Sequence, residues 1–158
     1  MFAKALGLLI AAAVAGLPAA AGAQGKRVYV IVTVKAERGW QRVPLRLGGH
    51  GVLHFTAQGK WIFNPSQPAV DGDGAANLST AGRTSYTFSG TQGREGQLIG
   101  RIGVAGAPFV AGARGFHQVA RREAGPLYLM INDDFRQSAG AGLADNSGTL
   151  RVRVDYDR

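Results

Sequence analysis

The residues best suited to chemistry stand at the two borders of one loop near the C terminus. The apolar run Leu127 to Ile131 stops at Asn132, Asp133 and Asp134, and Asp145 and Asn146 precede Ser147-Gly148 and a second apolar run, Leu150 to Val154. All five polar side chains offer oxygen. A hard cation needs that kind of donor, because calcium takes about six to eight oxygens from carboxylates, amide side chains and main-chain carbonyls. If the two apolar runs pair as a hairpin, the clusters, twelve positions apart from Asp133 to Asp145, come face to face. The plainer explanation is turn chemistry, since Asx residues and glycine end strands without any metal. The spacing alone leaves both open.

Other chemistries fit less well. Asp133 and Asp134 could be read as a carboxylate pair for acid–base work, but adjacent residues of a strand point to opposite faces and would not flank one bond. No nucleophile elbow, metal-hydrolase motif or phosphate-binding glycine loop occurs in its required context, so an enzyme is not expected. The formal net charge of +8 invites a nucleic-acid reading, yet the lysines and arginines are scattered from Arg38 to Arg153 without one dense tract. Attraction to anionic envelope glycans is the better use of that charge, and it should weaken with salt.

The elements that must position these residues begin after an N-terminal export segment. Lys4, the apolar run Leu6 to Leu17 and the small residues Ala19 to Ala23 read as the three parts of a secretory signal, with Ala21-Gly22-Ala23 as the cleavage site before Gln24. The run is shorter than the ~20 residues of a spanning helix, and nothing later in the sequence reads as a span. The reading is a signal over 1–23 and one domain over 24–158, exported to the periplasm or secreted. A homo-oligomer is compatible with it.

The chain has no cysteine, so its stability must come from packing, with or without a metal, rather than from disulfides. Its 24 glycines favour tight turns between short strands. Val28, Val30, Val32 and Val34 alternate with Tyr29, Ile31 and Thr33, all strand formers, which predicts a strand buried on both faces. Pro44 places the strand around Val43 to Leu47 at a sheet edge. Val52 to Ala57 is another strand. A long irregular stretch from Asn64 to Arg83 follows, and Thr84 to Phe88 is a weak strand candidate. Leu98 to Val104, Pro108 to Val110, Phe116 to Ala120, Leu127 to Ile131 and Leu150 to Val154 complete about eight short strands, with no helical period outside the signal. That is the pattern of an all-β sandwich or jelly roll.

In this order, several blocks resemble the calcium-dependent, galactose-binding bacterial lectins of the PA-IL type. They are Gly59 to Pro65 with its Trp61, Gly96 to Gly103, Pro108 to Gly112, Gly125 to Asp133, and Asp145 to Gly148, and together they cover most of residues 28 to 155. The resemblance implies a β-sandwich of galactose-binding-like topology. It also implies a calcium ion held by the side chains of Asp133, Asp145 and Asn146 and by a carbonyl of Asn64 or its neighbour Phe63, with sugar hydroxyls binding the ion directly. Ligand contacts are then expected from Asp133, Asp134 and Asp145, and from Asp71 and Asp73 if the long loop joins the site.

The sequence departs from the family pattern in three respects. The loop from Asp133 to Asp145 is longer, and Arg136 to Ala144 holds no threonine where the galactose-binding members use one. No His and Gln stand where those members read galactose, the corresponding stretch being Gln67 to Asp71. The basic charge is not a family trait to lean on. Calcium is therefore implied more directly than galactose. For Trp61 the core is the better expectation than sugar stacking, because it sits at a strand end beside Ile62 and Phe63. Asp71-Gly72-Asp73-Gly74 reads first as a glycine-rich turn.

Overall fold

The computed structural model describes residues 27–76, 86, 93–135 and 141–158. The secretory signal over 1–23, the strand candidate Thr84 to Phe88 apart from Tyr86, and the loop residues 136–140 lie outside them. Among the described residues no helix is long and apolar enough to cross a membrane.

Eight strands make two antiparallel four-stranded sheets. The first sheet has the order β1 (Arg27–Lys35), β8 (Ser147–Asp157), β3 (Gly51–Ile62), β6 (Phe116–Val119). The second has the order β2 (Gln41–Gly48), β7 (Ala124–Asn132), β4 (Gln97–Ile102), β5 (Phe109–Val110). Every connection except β4 to β5 passes from one sheet to the other. The two-residue period builds the core between them: Leu150, Val152, Val154 and Tyr156 of β8 face Leu127, Leu129 and Ile131 of β7, all of them buried. Arg151 and Arg153 alternate with the buried set and stand in water.

Pro44 does lie on an edge strand, where β2 slips register against β7 between Arg42 and Arg46. Two other expectations change. β1 is not buried on both faces: it too is a sheet edge, and Tyr29 and Ile31 are 60% and 44% exposed. β-Branched and aromatic residues suit the pleat whether or not a layer covers them, so strand propensity could not tell a covered face from an open one. Nor do β7 and β8 form a hairpin. β7 pairs with β2 and β4, and β8 pairs with β1 and β3, so the connection between them joins one sheet to the other.

The two outer faces differ. On the second sheet Met130 and Ile99 pair across strands and are fully buried although they point away from the core. Beside them the Arg101 guanidinium lies 4.4 Å from the centre of the Trp40 ring and 5.3 Å from that of Tyr128, and Tyr86 stacks on Phe135 at 5.4 Å. The outer face of the first sheet is open, polar toward the end with Lys35 and Lys60 and carrying the exposed Tyr29, Ile31 and Phe116 toward the other.

Candidate metal centre

The end of the sandwich where β7 stops and β8 starts gathers the oxygen-bearing residues. Gln97 opens β4 directly opposite Asn132, and this pairing carries Glu95 to the same end, where it is 4% exposed. The end is built on Trp61. Its ring is fully buried, its Nε1 donates to the Gly96 carbonyl at 2.7 Å, and its main chain exchanges two hydrogen bonds of 2.9 Å with Val70. Trp61 is thus a core anchor that fixes where the long loop leaves β3. Gly96 has φ +73°, and a Cβ there would sit 2.7 and 2.8 Å from Val70 and Phe63. Only glycine lets that turn close over the tryptophan.

Asn132 serves the long loop rather than an ion. Its Nδ2 donates to the Tyr86 carbonyl at 3.0 Å and its Oδ1 accepts from the Tyr86 N–H at 3.3 Å, so the side chain mimics a strand partner. Asp133, the next residue, is buried, and its Oδ1 accepts the Asp134 N–H at 2.7 Å. Its Oδ2 is buried without a hydrogen-bond partner. Asn146 repeats the pattern: Nδ2 donates to the Ala36 carbonyl at 3.3 Å, and the buried Oδ1 has no partner. Burial above all lifts the Asp133 carboxyl from 3.8 to about 6, and the negative charges of Glu95 and Asp145 push the same way. The Asp134 N–H and the Asn146 amide hold it down.

The structure sets Asn146 beside Asp133, with Asp145 and Glu95 near enough to act on the Asp133 carboxyl through their charge. It reaches this from two sheets instead of one hairpin. Asp134 is buried next to them and touches Asp133 through its N–H. Asn64 is turned to its own loop, with Oδ1 accepting from Ser66 N at 2.9 Å and its carbonyl accepting from Gln67 N at 2.9 Å. Asp71 and Asp73 are exposed and build turns: Asp71 Oδ1 accepts the Asp73 N–H at 2.9 Å, and Asp73 Oδ1 accepts the Ala113 N–H at 2.8 Å. Among the described residues no hydrogen bond or ion pair joins Asn64, Asp71 or Asp73 to Asp133.

As donors, these residues fit a hard divalent cation. Every available atom is oxygen, two of the oxygens are buried with nothing to bind, and the carboxylates repel one another. Among the described residues no three carboxylate or histidine groups stand close enough to form an ion site as they are.

Glu95 was missed in the sequence because it precedes a strand whose partner is 35 residues away, and only the Gln97–Asn132 register places it. The resemblance block starting at Gly96 was the one signal within reach of it.

Among solved structures the chain is similar to the EclA N-terminal domain, a PllA-like lectin, with a TM-score of 0.60 and 16% sequence identity, over 83% of this chain and 98% of that one. At that identity the likeness is one of fold, and at that level it meets the resemblance seen in the sequence. No protein-family model matches the chain, and no curated protein does.

Proposed function

We propose that this is an exported, calcium-dependent carbohydrate-binding protein whose site lies at the β7–β8 end of the sandwich. The observation that carries the reading is the pair of buried, unpartnered oxygens, Asp133 Oδ2 and Asn146 Oδ1, beside carboxylates that repel one another. Asp133, Asp145 and Asn146 would hold the ion, with Glu95 adding negative charge and a carbonyl of Asn64 or Phe63 supplied by the loop after Trp61. Calcium, when bound, supplies positive charge and open coordination positions that sugar hydroxyls can take.

The chain's own residues do the rest. Asn146 is oriented by its bond to Ala36, so its oxygen is aimed before any ion arrives. Asp134, and the oxygens of Asp133 and Asp145 left over from the metal, accept hydrogen bonds from the sugar. The fold of a lectin supports carbohydrate as the partner class, and binding rather than catalysis as the role.

The test is a calcium titration by calorimetry on the mature protein, followed by a glycan array with and without chelator. Calcium binding with chelator-sensitive glycan signal is the expected result. Chelator that lowers the melting temperature while no glycan is bound would reduce the ion to a structural pin, and no calcium binding at all would overturn the proposal.

A further inference from the structure

The outer face of the first sheet carries charge that the calcium site does not use. Residues alternating out of the core on β1, β8 and β3 line up in cross-strand rows. Thr149 lies between Lys35 on β1 and Lys60 on β3, so these two lysines are two strand spacings apart, about 9.5 Å at their backbones. In the next row Arg151 lies between Thr33 and Gln58, about 7 Å further along β8. All six residues are exposed.

Their cations are uncompensated. The carboxylates of this face, Asp155 and Asp157, stand toward the other end of β8 and are neutralised there. Arg153 holds Asp155 at 2.7 Å, and Arg27 reaches Asp155 at 3.4 Å and Asp157 at 3.2 Å. Among the described residues no carboxylate is within ion-pair distance of Lys35, Lys60 or Arg151.

We propose that this face is a second binding surface, which takes an acidic polysaccharide on Lys35, Lys60 and Arg151 without calcium. The cations are spread over a flat face, so they suit charges spaced along an extended polymer. Between them stand Thr33, Thr149 and Gln58, whose hydroxyls and amide both donate and accept hydrogen bonds, as sugar hydroxyls do. The same surroundings disfavour the other polyanions. A single-stranded nucleic acid is held by aromatic rings under its bases, and no ring lies among these residues. A membrane surface takes an apolar anchor, and the exposed rings of Phe116 and Tyr29 lie toward the opposite end of the strands, which leaves Ile31, 44% exposed, as the single large apolar side chain beside these rows among the described residues.

The surface does not depend on the metal reading, and its test separates the two. Alginate is the probe, with dextran as its uncharged counterpart, titrated against the mature protein in chelator over a range of salt. The patch variant is K35Q/K60Q/R151Q. The control R46Q/R121Q/R122Q removes the same charge from exposed positions on β2 of the other sheet and on the turn after β6. Circular dichroism verifies that both fold. Alginate, but not dextran, is expected to bind in chelator, to weaken as salt rises, and to lose about tenfold or more in affinity in the patch variant while the control keeps most of it. Equal losses in the two variants would reduce the effect to net charge. Loss of alginate binding in chelator would place it at the calcium site, and equal patch-dependent binding of anionic vesicles or duplex DNA would show a general polyanion surface. Each of these three results overturns the proposal.

Discussion

Asp133 decides the chemistry of the loop border. Its carboxyl is lifted to about 6, so calcium taken at the proposed site would have to displace a proton below that pH. Calcium affinity should be flat above pH 6 and fall about tenfold per unit below it, a profile that calorimetry in buffers of differing ionisation heat will read as proton release. Asp133→Ala should lower calcium affinity on the order of a hundredfold while the circular dichroism of the strands stays the same; unchanged affinity would remove Asp133 from the site. Asp155 behaves in the opposite sense. Arg153, bonded to both of its oxygens, holds its carboxyl below the usual value, so the fold favours the ionised form. That stability is complete above 3.8, the ordinary value, and is lost as pH falls from there through the lower folded value. Asp155→Asn should therefore melt earlier than the parent at neutral pH, and the gap should close in acid. That Asp133, Asp145 and Asn146 stand at the borders of one loop could be read from the sequence, because side-chain type and strand-end position are local properties. Asn132 has the same properties, and its commitment to Tyr86 could not be read, since that depends on where a distant loop passes.

Trp61 and Gly96 show what holds at the scale of elements. Trp61→Phe removes the donor from the buried Gly96 carbonyl and leaves a smaller ring, a loss of about 2–3 kcal/mol. Gly96→Ala forces a Cβ against Val70 and Phe63 in a left-handed conformation, at about 2–4 kcal/mol. Urea denaturation should show both, and an unperturbed midpoint in Gly96→Ala would mean the loop does not close on the tryptophan as described. The strands themselves were legible from their period of two, down to the edge position of Pro44. Their partners were not. Leu127 to Ile131 and Leu150 to Val154 look like the arms of one hairpin because nothing in an apolar run names its neighbour, and only the hydrogen-bond register sends them to separate sheets. The same blindness made β1 look covered on both sides.

For the whole molecule, the proposed calcium site would make the ion a source of stability as well as a ligand, since it would relieve the carboxylate repulsion at one end of a chain without cysteine. At free calcium a hundredfold above its dissociation constant, the folded chain should gain about 2.7 kcal/mol, a rise in melting temperature of roughly 8–10 °C that chelator reverses. A scan with and without chelator will measure it, and coincident curves would deny the coupling. The β7–β8 loop joins the two sheets, and its borders belong to different ones: Asp133 continues β7, whereas Asn146 leads into β8. An ion gripped by both would rivet the layers at that rim, and a tether pulling them past each other would meet most resistance there and slide them more easily once the rivet is drawn.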